Sequence, residues 1–286
     1  MTRLANAGWW LLLRRDGHLA LVVLLLLLWT LAGSGLSDLL LLPAWVIMAQ
    51  LIFAGGLEAA RLRRRAWLGQ YLQAASPWQR WLRGGLVMVA WHQLLGILLA
   101  LLILVKLRLL SPVYWPLLLV GVVGLVLLRR VMRRRLARHV VAEYVPGVTR
   151  RLLAWPLGVL LAVSLVVLAL WLPQPYLVGL GWEEALMRHV PGDGHDSLLG
   201  FFERLARALE VTQYWAMQNA AERGELNESL VLVGWLLLLL VQSAFAWAYV
   251  RLLLGAEALR GAILEALGKP VDRELMDREP MGRADE

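Results

Sequence analysis

The stretch "GLVMVAWHQLLGILLALLILVKLRLLSPVYWPLLLVGVVGLVLLRRVMRRRLAR", Gly85 to Arg138, decides what kind of protein this is. Two apolar runs stand back to back, separated only by Lys106 and Arg108, and a block of arginines closes the second. An apolar run of about 20 residues spans the hydrocarbon layer of a bilayer as a helix. The alternation that a transmembrane barrel strand needs is absent. Pro112 and Pro116 fall at the start of the second run and predict an irregular first turn there.

The same pattern recurs along the chain. Of 286 residues 60% are hydrophobic, and the mean hydropathy is +0.63. An ordinary water-soluble domain is less apolar. Six spans are predicted: Leu19 to Ala32, Leu39 to Gly56, Gly85 to Val105, Leu109 to Leu128, Leu152 to Leu172 and Leu230 to Val250. The expected fold is an all-α polytopic membrane helix bundle with an external amphipathic helical loop. Residues 1–16 read as an interfacial N-terminal helix, with Trp9 and Trp10 at the boundary. Residues 17–172 hold five spans, with arginine-rich elbows at 57–84 and 129–151. Residues 173–229 form the external loop, 230–250 the sixth span, and 251–286 an amphipathic helix and flexible tail. The first span has an arginine-flanked start and "AGS" at Ala32 to Ser34, as a signal peptide does. The apolar "WWLLL" upstream favours an uncleaved helix.

Charge orients the bundle. Arg61, Arg63, Arg64, Arg65, Arg80 and Arg83 face Glu58 alone in the first elbow. Eight arginines between Arg129 and Arg151 face Glu143 alone in the second. Pro173 to Ser229 carries nine acidic and four basic residues. Positive loops stay cytoplasmic, so both termini are expected inside and the long loop outside a bacterial-type inner membrane. The net charge of +8 sits where topology requires it, so no nucleic-acid partner is expected.

In "RLRRRAWLGQYLQAASPWQRWLR", Arg61 to Arg83, rings alternate with cations. Such a segment suits anionic lipid headgroups or a docking partner. Arg63, Arg64, Arg65, Trp67, Trp78 and Trp81 are its candidate contact residues. Ser76, Pro77 and Gln79 carry a helix-start signature, so the segment reads as two short helices.

The span interiors lack Asp, Glu, Lys and Arg, which lowers the expectation of a proton- or sodium-coupled carrier. His92 and Gln93 read as an interhelical hydrogen-bond pair. One intramembrane histidine makes neither a zinc site nor paired heme ligands, and zero cysteines exclude disulfides and thiolate metal sites. No cofactor is expected.

The external stretch "GWEEALMRHVPGDGHDS", Gly181 to Ser197, concentrates carboxylates and histidines. Its E-E-x-x-x-R resembles a motif of CAAX-type intramembrane proteases, but the later, spaced histidines that those enzymes use are missing. His189, His195 and Asp196, with Asp193, are residue types that hold zinc. Their spacing fits no zinc motif, and "PGDG" is turn chemistry. The stretch therefore reads as a short helix, a turn and an N-cap at Asp196 or Ser197. The helix that follows places Leu198, Phe202, Leu205 and Leu209 at helical spacing.

An interfacial N-terminal helix, six spans and a cytoplasmic elbow after the second is a layout similar to that of ABC-type exporter permeases. It implies a non-catalytic membrane subunit of a transport or export assembly, with lipid and a partner such as a cytoplasmic ATPase against the elbow. A membrane enzyme acting on a lipid-linked substrate at the external face, and an assembly factor, are the alternatives.

Overall fold

The computed structural model describes residues 2–71, 85–141, 144–190, 197–222 and 228–267, and among them it is helical with no strand. The helices are α1 (Thr2–Leu31), α2 (Ser34–Tyr71), α3 (Leu86–Leu109), α4 (Trp115–Leu136), α5 (Val145–Trp171), α6 (Trp182–His189), α7 (Leu198–Glu222) and α8 (Glu228–Ala266). A 3₁₀ turn, Pro112–Tyr114, precedes α4. The two prolines explain it. Pro112 opens the turn, and Pro116 sits in the first turn of α4, where its missing N–H costs nothing.

Among the described residues five segments are long and apolar enough to cross a membrane: Ser34–Leu57, Val87–Leu109, Pro112–Leu136, Val145–Trp171 and Leu232–Leu264. Asp16–Leu31 is apolar but shorter. Along it Leu19, Val23, Leu26 and Trp29 are buried, while Leu21, Leu24, Leu25 and Leu28 are exposed. That is one helical stripe turned to the bundle and another turned outward. Leu39, Leu98, Val120, Leu160 and Leu240 continue this exposed apolar surface around the bundle. In water so large an apolar belt is a liability; in lipid it is the expected outer face.

Helix α8 is the central staff. It packs against α1, α2, α3, α5 and α7. Phe245, Ala246, Ala248, Tyr249, Leu252 and Leu253 are all wholly buried in it. Its closest neighbour is α2. A methyl group built on Gly255 would lie 2.0 Å from the Leu51 carbonyl oxygen, and one on Gly55 would lie 2.9 Å from the Gly255 Cα. Only glycine lets two backbones approach so closely, and such contacts are how helices associate where the surroundings are as apolar as the side chains. The α2–α3 contact has two further ties. Gly96 faces the Ala49 carbonyl, and the Trp45 indole donates to the Ile97 carbonyl at 2.7 Å. The Trp29 indole does likewise to Leu104 at 2.9 Å. Each ring is apolar in body and places its one N–H on an acceptor.

Several elements are longer than the sequence suggests. The predicted interfacial segment and first span are one helix, α1. The elbow's first half continues α2 to Tyr71, and the predicted sixth span runs unbroken to Ala266. The tail segment from Gly255 thus begins inside the packed bundle, not beyond it. His92 also differs from expectation: its Nδ1 lies 2.9 Å from the Met88 carbonyl, four residues back in its own helix.

Candidate functional site

Charge gathers at the two ends of the bundle, with an apolar core between. At one end stands Arg129, the residue that closes the apolar run of α4. It is only 4% exposed. Its guanidinium bonds Glu257 on α8 and Asp16 on α1. Arg130 reaches the other Asp16 oxygen at 2.7 Å, and Arg133 lies 3.6 Å from Glu257. His18 Nε2 donates to Glu257 at 3.1 Å, while its Nδ1 accepts from Arg260 at 3.4 Å. One tautomer of the neutral ring satisfies both contacts. A buried charge is tolerable only when paired and hydrogen-bonded, and here each carboxylate meets at least two cationic or donor groups. The cluster fastens α1, α4 and α8 together. In the sequence Arg129 is one of the arginines that orient the bundle; in the fold it is an interior clamp.

The opposite end is built on α3 and closed by α6 and α7. Arg108 donates to the Ala32 carbonyl and, at 3.0 Å, to Glu203 of α7. Lys106 stands 4.0 Å from Glu210. Ser197 caps α7: its Oγ accepts the Gly200 N–H at 3.0 Å. Two side-chain amides of α7 then hold the incoming chain. Gln218 accepts from the Leu177 N–H at 2.7 Å and donates to the Pro175 carbonyl at 2.9 Å. Asn219 accepts from Gly179 at 3.0 Å and donates to Leu177 at 2.9 Å. Gly179 turns the chain there with φ +80°, a conformation that favours glycine. Leu177, Ala185, Val211 and Tyr214 form a small core of their own beneath the turn.

Under this cap lies a cavity of about 410 Å³ whose polar lining includes Lys106, Tyr114, His189, Arg207, Glu210 and Tyr214. A smaller gap of about 90 Å³ shares Lys106, Glu210 and Tyr214 with it and reaches Gln213 and Gln242 between α3, α7 and α8. Burial, and then the adjacent Glu210 carboxylate, push the Tyr214 phenol above its ordinary range, so it enters the cavity as a donor.

The sequence-predicted residues distribute unevenly. Arg63, Arg64, Arg65 and Trp67 lie on the extension of α2; Trp78 and Trp81 lie outside the described residues. His189 ends α6 with Nδ1 3.0 Å from the Ala185 carbonyl, and it borders the cavity. His195, Asp196 and Asp193 lie outside the described residues. Among the described residues no three His, Cys, Asp or Glu side chains gather as metal ligands. On α7 the inward face carries Leu199, Phe202 and Ala206, whereas Leu198, Phe201, Leu205 and Leu209 are exposed. Asp16, His18, Glu257, Glu210 and Lys106 went unread as site residues. The available signal was depth: Glu257 and Arg129 each fall at the same end of an apolar run.

Comparison with protein-family models, with curated proteins and with solved structures yields no match to this chain.

Proposed function

We propose that the chain is a non-catalytic integral membrane subunit of a transport or export assembly, seated in a bacterial-type inner membrane with both termini cytoplasmic. The observation that carries the reading is the extension of α2. Its apolar segment ends at Leu57, yet the helix continues to Tyr71. The 14 residues from 58 to 71 project about 21 Å at 1.5 Å per residue. They carry the sequence "RLRRRAW", Arg61 to Trp67, on a helix continuing from the end of the bundle that holds Arg129 and Glu257. A helical extension of cationic and aromatic sequence is suited to dock a cytoplasmic subunit and the anionic lipid around it.

The interior supports the same reading. Ile103, Leu104, Leu118, Leu165 and Phe245 fill most of the layer between the charged ends with apolar side chains. At the Arg129 end both buried carboxylates, Asp16 and Glu257, are paired with arginines in place. Such a chain serves as a framework while a partner supplies energy or chemistry.

The test is site-specific photo-crosslinking from positions 62 and 67 in native membranes, with Arg63→Glu, Arg64→Glu and Arg65→Glu combined as the comparison. Each lost cation near a charged surface weakens contact by about 1 kcal/mol. Wild type should form a discrete crosslinked complex that the inserted triple variant loses. A chain that crosslinks only to lipid at both positions, or an unchanged complex in the variant, would overturn the proposal.

A further inference from the structure

The gap between α3, α7 and α8 contains a polar group that the fold leaves unsatisfied. Gln242 is 4% exposed, and its side-chain oxygen has no hydrogen-bond partner among the described residues. A buried acceptor left unmet is costly, and native folds nearly always avoid one. Leu102 and Val105 border the same gap. Toward the cap, Lys106 and Glu210 face each other at 4.0 Å, wider than a contact hydrogen bond. Arg207 stands in the larger cavity beyond them.

The space therefore offers an acceptor deep in the bundle, Gln242, a cation in the larger cavity, Arg207, and the Lys106–Glu210 pair between them, lining both. An anion alone would satisfy the cations and leave Gln242 unmet. A cation alone would suit Glu210 and Gln242 and be repelled by Lys106. A group that carries both charges answers both ends. We propose that this cavity binds a headgroup bearing a primary ammonium and a phosphate, the chemistry shared by an ethanolamine phospholipid and free phosphoethanolamine. The ammonium donates to Gln242 Oε1 and pairs with Glu210; the phosphate meets Lys106 and Arg207. The phosphate end would occupy the cavity of about 410 Å³ and the ammonium the adjoining gap of about 90 Å³ that Gln242 lines. Leu209 borders the gap and is 42% exposed on the outer stripe of α7, so an acyl chain can leave beside it into lipid.

The test uses the full chain, purified in mild detergent, delipidated and mixed with equal amounts of ethanolamine, glycerol and choline phospholipids of one acyl composition. Native mass spectrometry reads the adducts. The ethanolamine lipid should be retained about tenfold over the choline lipid, whose quaternary ammonium cannot donate to Gln242. Gln242→Leu should abolish that preference without lowering the melting temperature of the delipidated protein, because it replaces an unmet acceptor by an apolar group of similar size. Glu210→Gln, at a partly exposed site, repeats the test without touching the bundle interior. Displacement of the lipid by free phosphoethanolamine would show that the headgroup suffices; resistance to it would assign the site to the lipid. Equal retention of the three lipids, or an ethanolamine preference that survives both substitutions, would overturn the proposal.

Discussion

Arg129 and Glu257 are 128 residues apart in the chain and form a buried ion pair at one end of the bundle. Asp16 holds the other side of the same guanidinium. Removing the cation leaves two carboxylates with diminished pairing, and breaking a buried pair in this way costs about 3–5 kcal/mol. Arg129→Leu should lower the unfolding midpoint in detergent accordingly. Arg129→Leu with Glu257→Leu should recover most of the loss, because Asp16 keeps Arg130 at 2.7 Å. A single variant as stable as wild type would show that the clamp contributes nothing.

The α2–α8 crossing gives a sharper steric test. Gly255→Ala drives a methyl group against the Leu51 carbonyl oxygen, 2.0 Å away without adjustment. Neither backbone can yield locally, so the helices must separate at a cost of about 1–3 kcal/mol. Gly121→Ala is the control. Its methyl group would meet Leu161 Cδ1 at 3.7 Å, an ordinary contact. There the better helix propensity of alanine should leave stability unchanged or raise it by up to about 1 kcal/mol. Thermal unfolding of the two variants side by side decides the matter, and equal midpoints would contradict the crossing.

These two relationships mark the boundary of what the sequence conveys. Hydropathy over about 20 residues is a local property, so five of the six predicted spans could be read directly, as could the proline-bent start of α4 and the Ser197 cap. The partner of Arg129 is not local. Asp16 and Glu257 sit at opposite ends of the chain, and each taken alone resembles an ordinary flanking charge. Gly255 illustrates a second limit. At the end of an apolar run a glycine signals a helix boundary as readily as a close crossing. Only the neighbouring α2 backbone distinguishes the two. The cavity under the cap and the gap beside it were hidden for the same reason, since Lys106, Glu210 and Gln242 come from three helices.

The Ser197 cap and His189 should behave oppositely on mutation. Ser197→Ala removes the acceptor of the Gly200 N–H and should cost about 0.5–2 kcal/mol. The change is local, so it should appear as faster hydrogen exchange in the first turn of α7. His189→Ala with His195→Ala should leave stability within about 0.5 kcal/mol of wild type, as is usual for substitutions outside the core. Elemental analysis of the purified protein checks the alternative. One equivalent of zinc that disappears with the two histidines would identify a metal site between α6 and α7.

The last prediction concerns orientation and the short first helix. Asp16–Leu31 rises only about 24 Å, against about 30 Å of hydrocarbon. Yet its two ends meet the same partners as the longer helices do. Asp16 pairs with Arg129, and Ala32 accepts from Arg108, which also holds Glu203 of the cap. Helix α1 therefore runs between the two charged ends, and a short span is accommodated by local thinning of the bilayer. The chain contains no cysteine, so single introduced cysteines report without background. Met187→Cys and Gly35→Cys both lie at exposed positions of the cap end, and Arg138→Cys at an exposed position of the other. With the positive end inside, a membrane-impermeant maleimide should label the first two in intact spheroplasts and Arg138→Cys only after lysis. Labelling of Arg138→Cys alone in intact cells would reverse the orientation. Labelling of Met187→Cys without Gly35→Cys would contradict the placement of the α1–α2 turn, and of the ends of both helices, on the cap side.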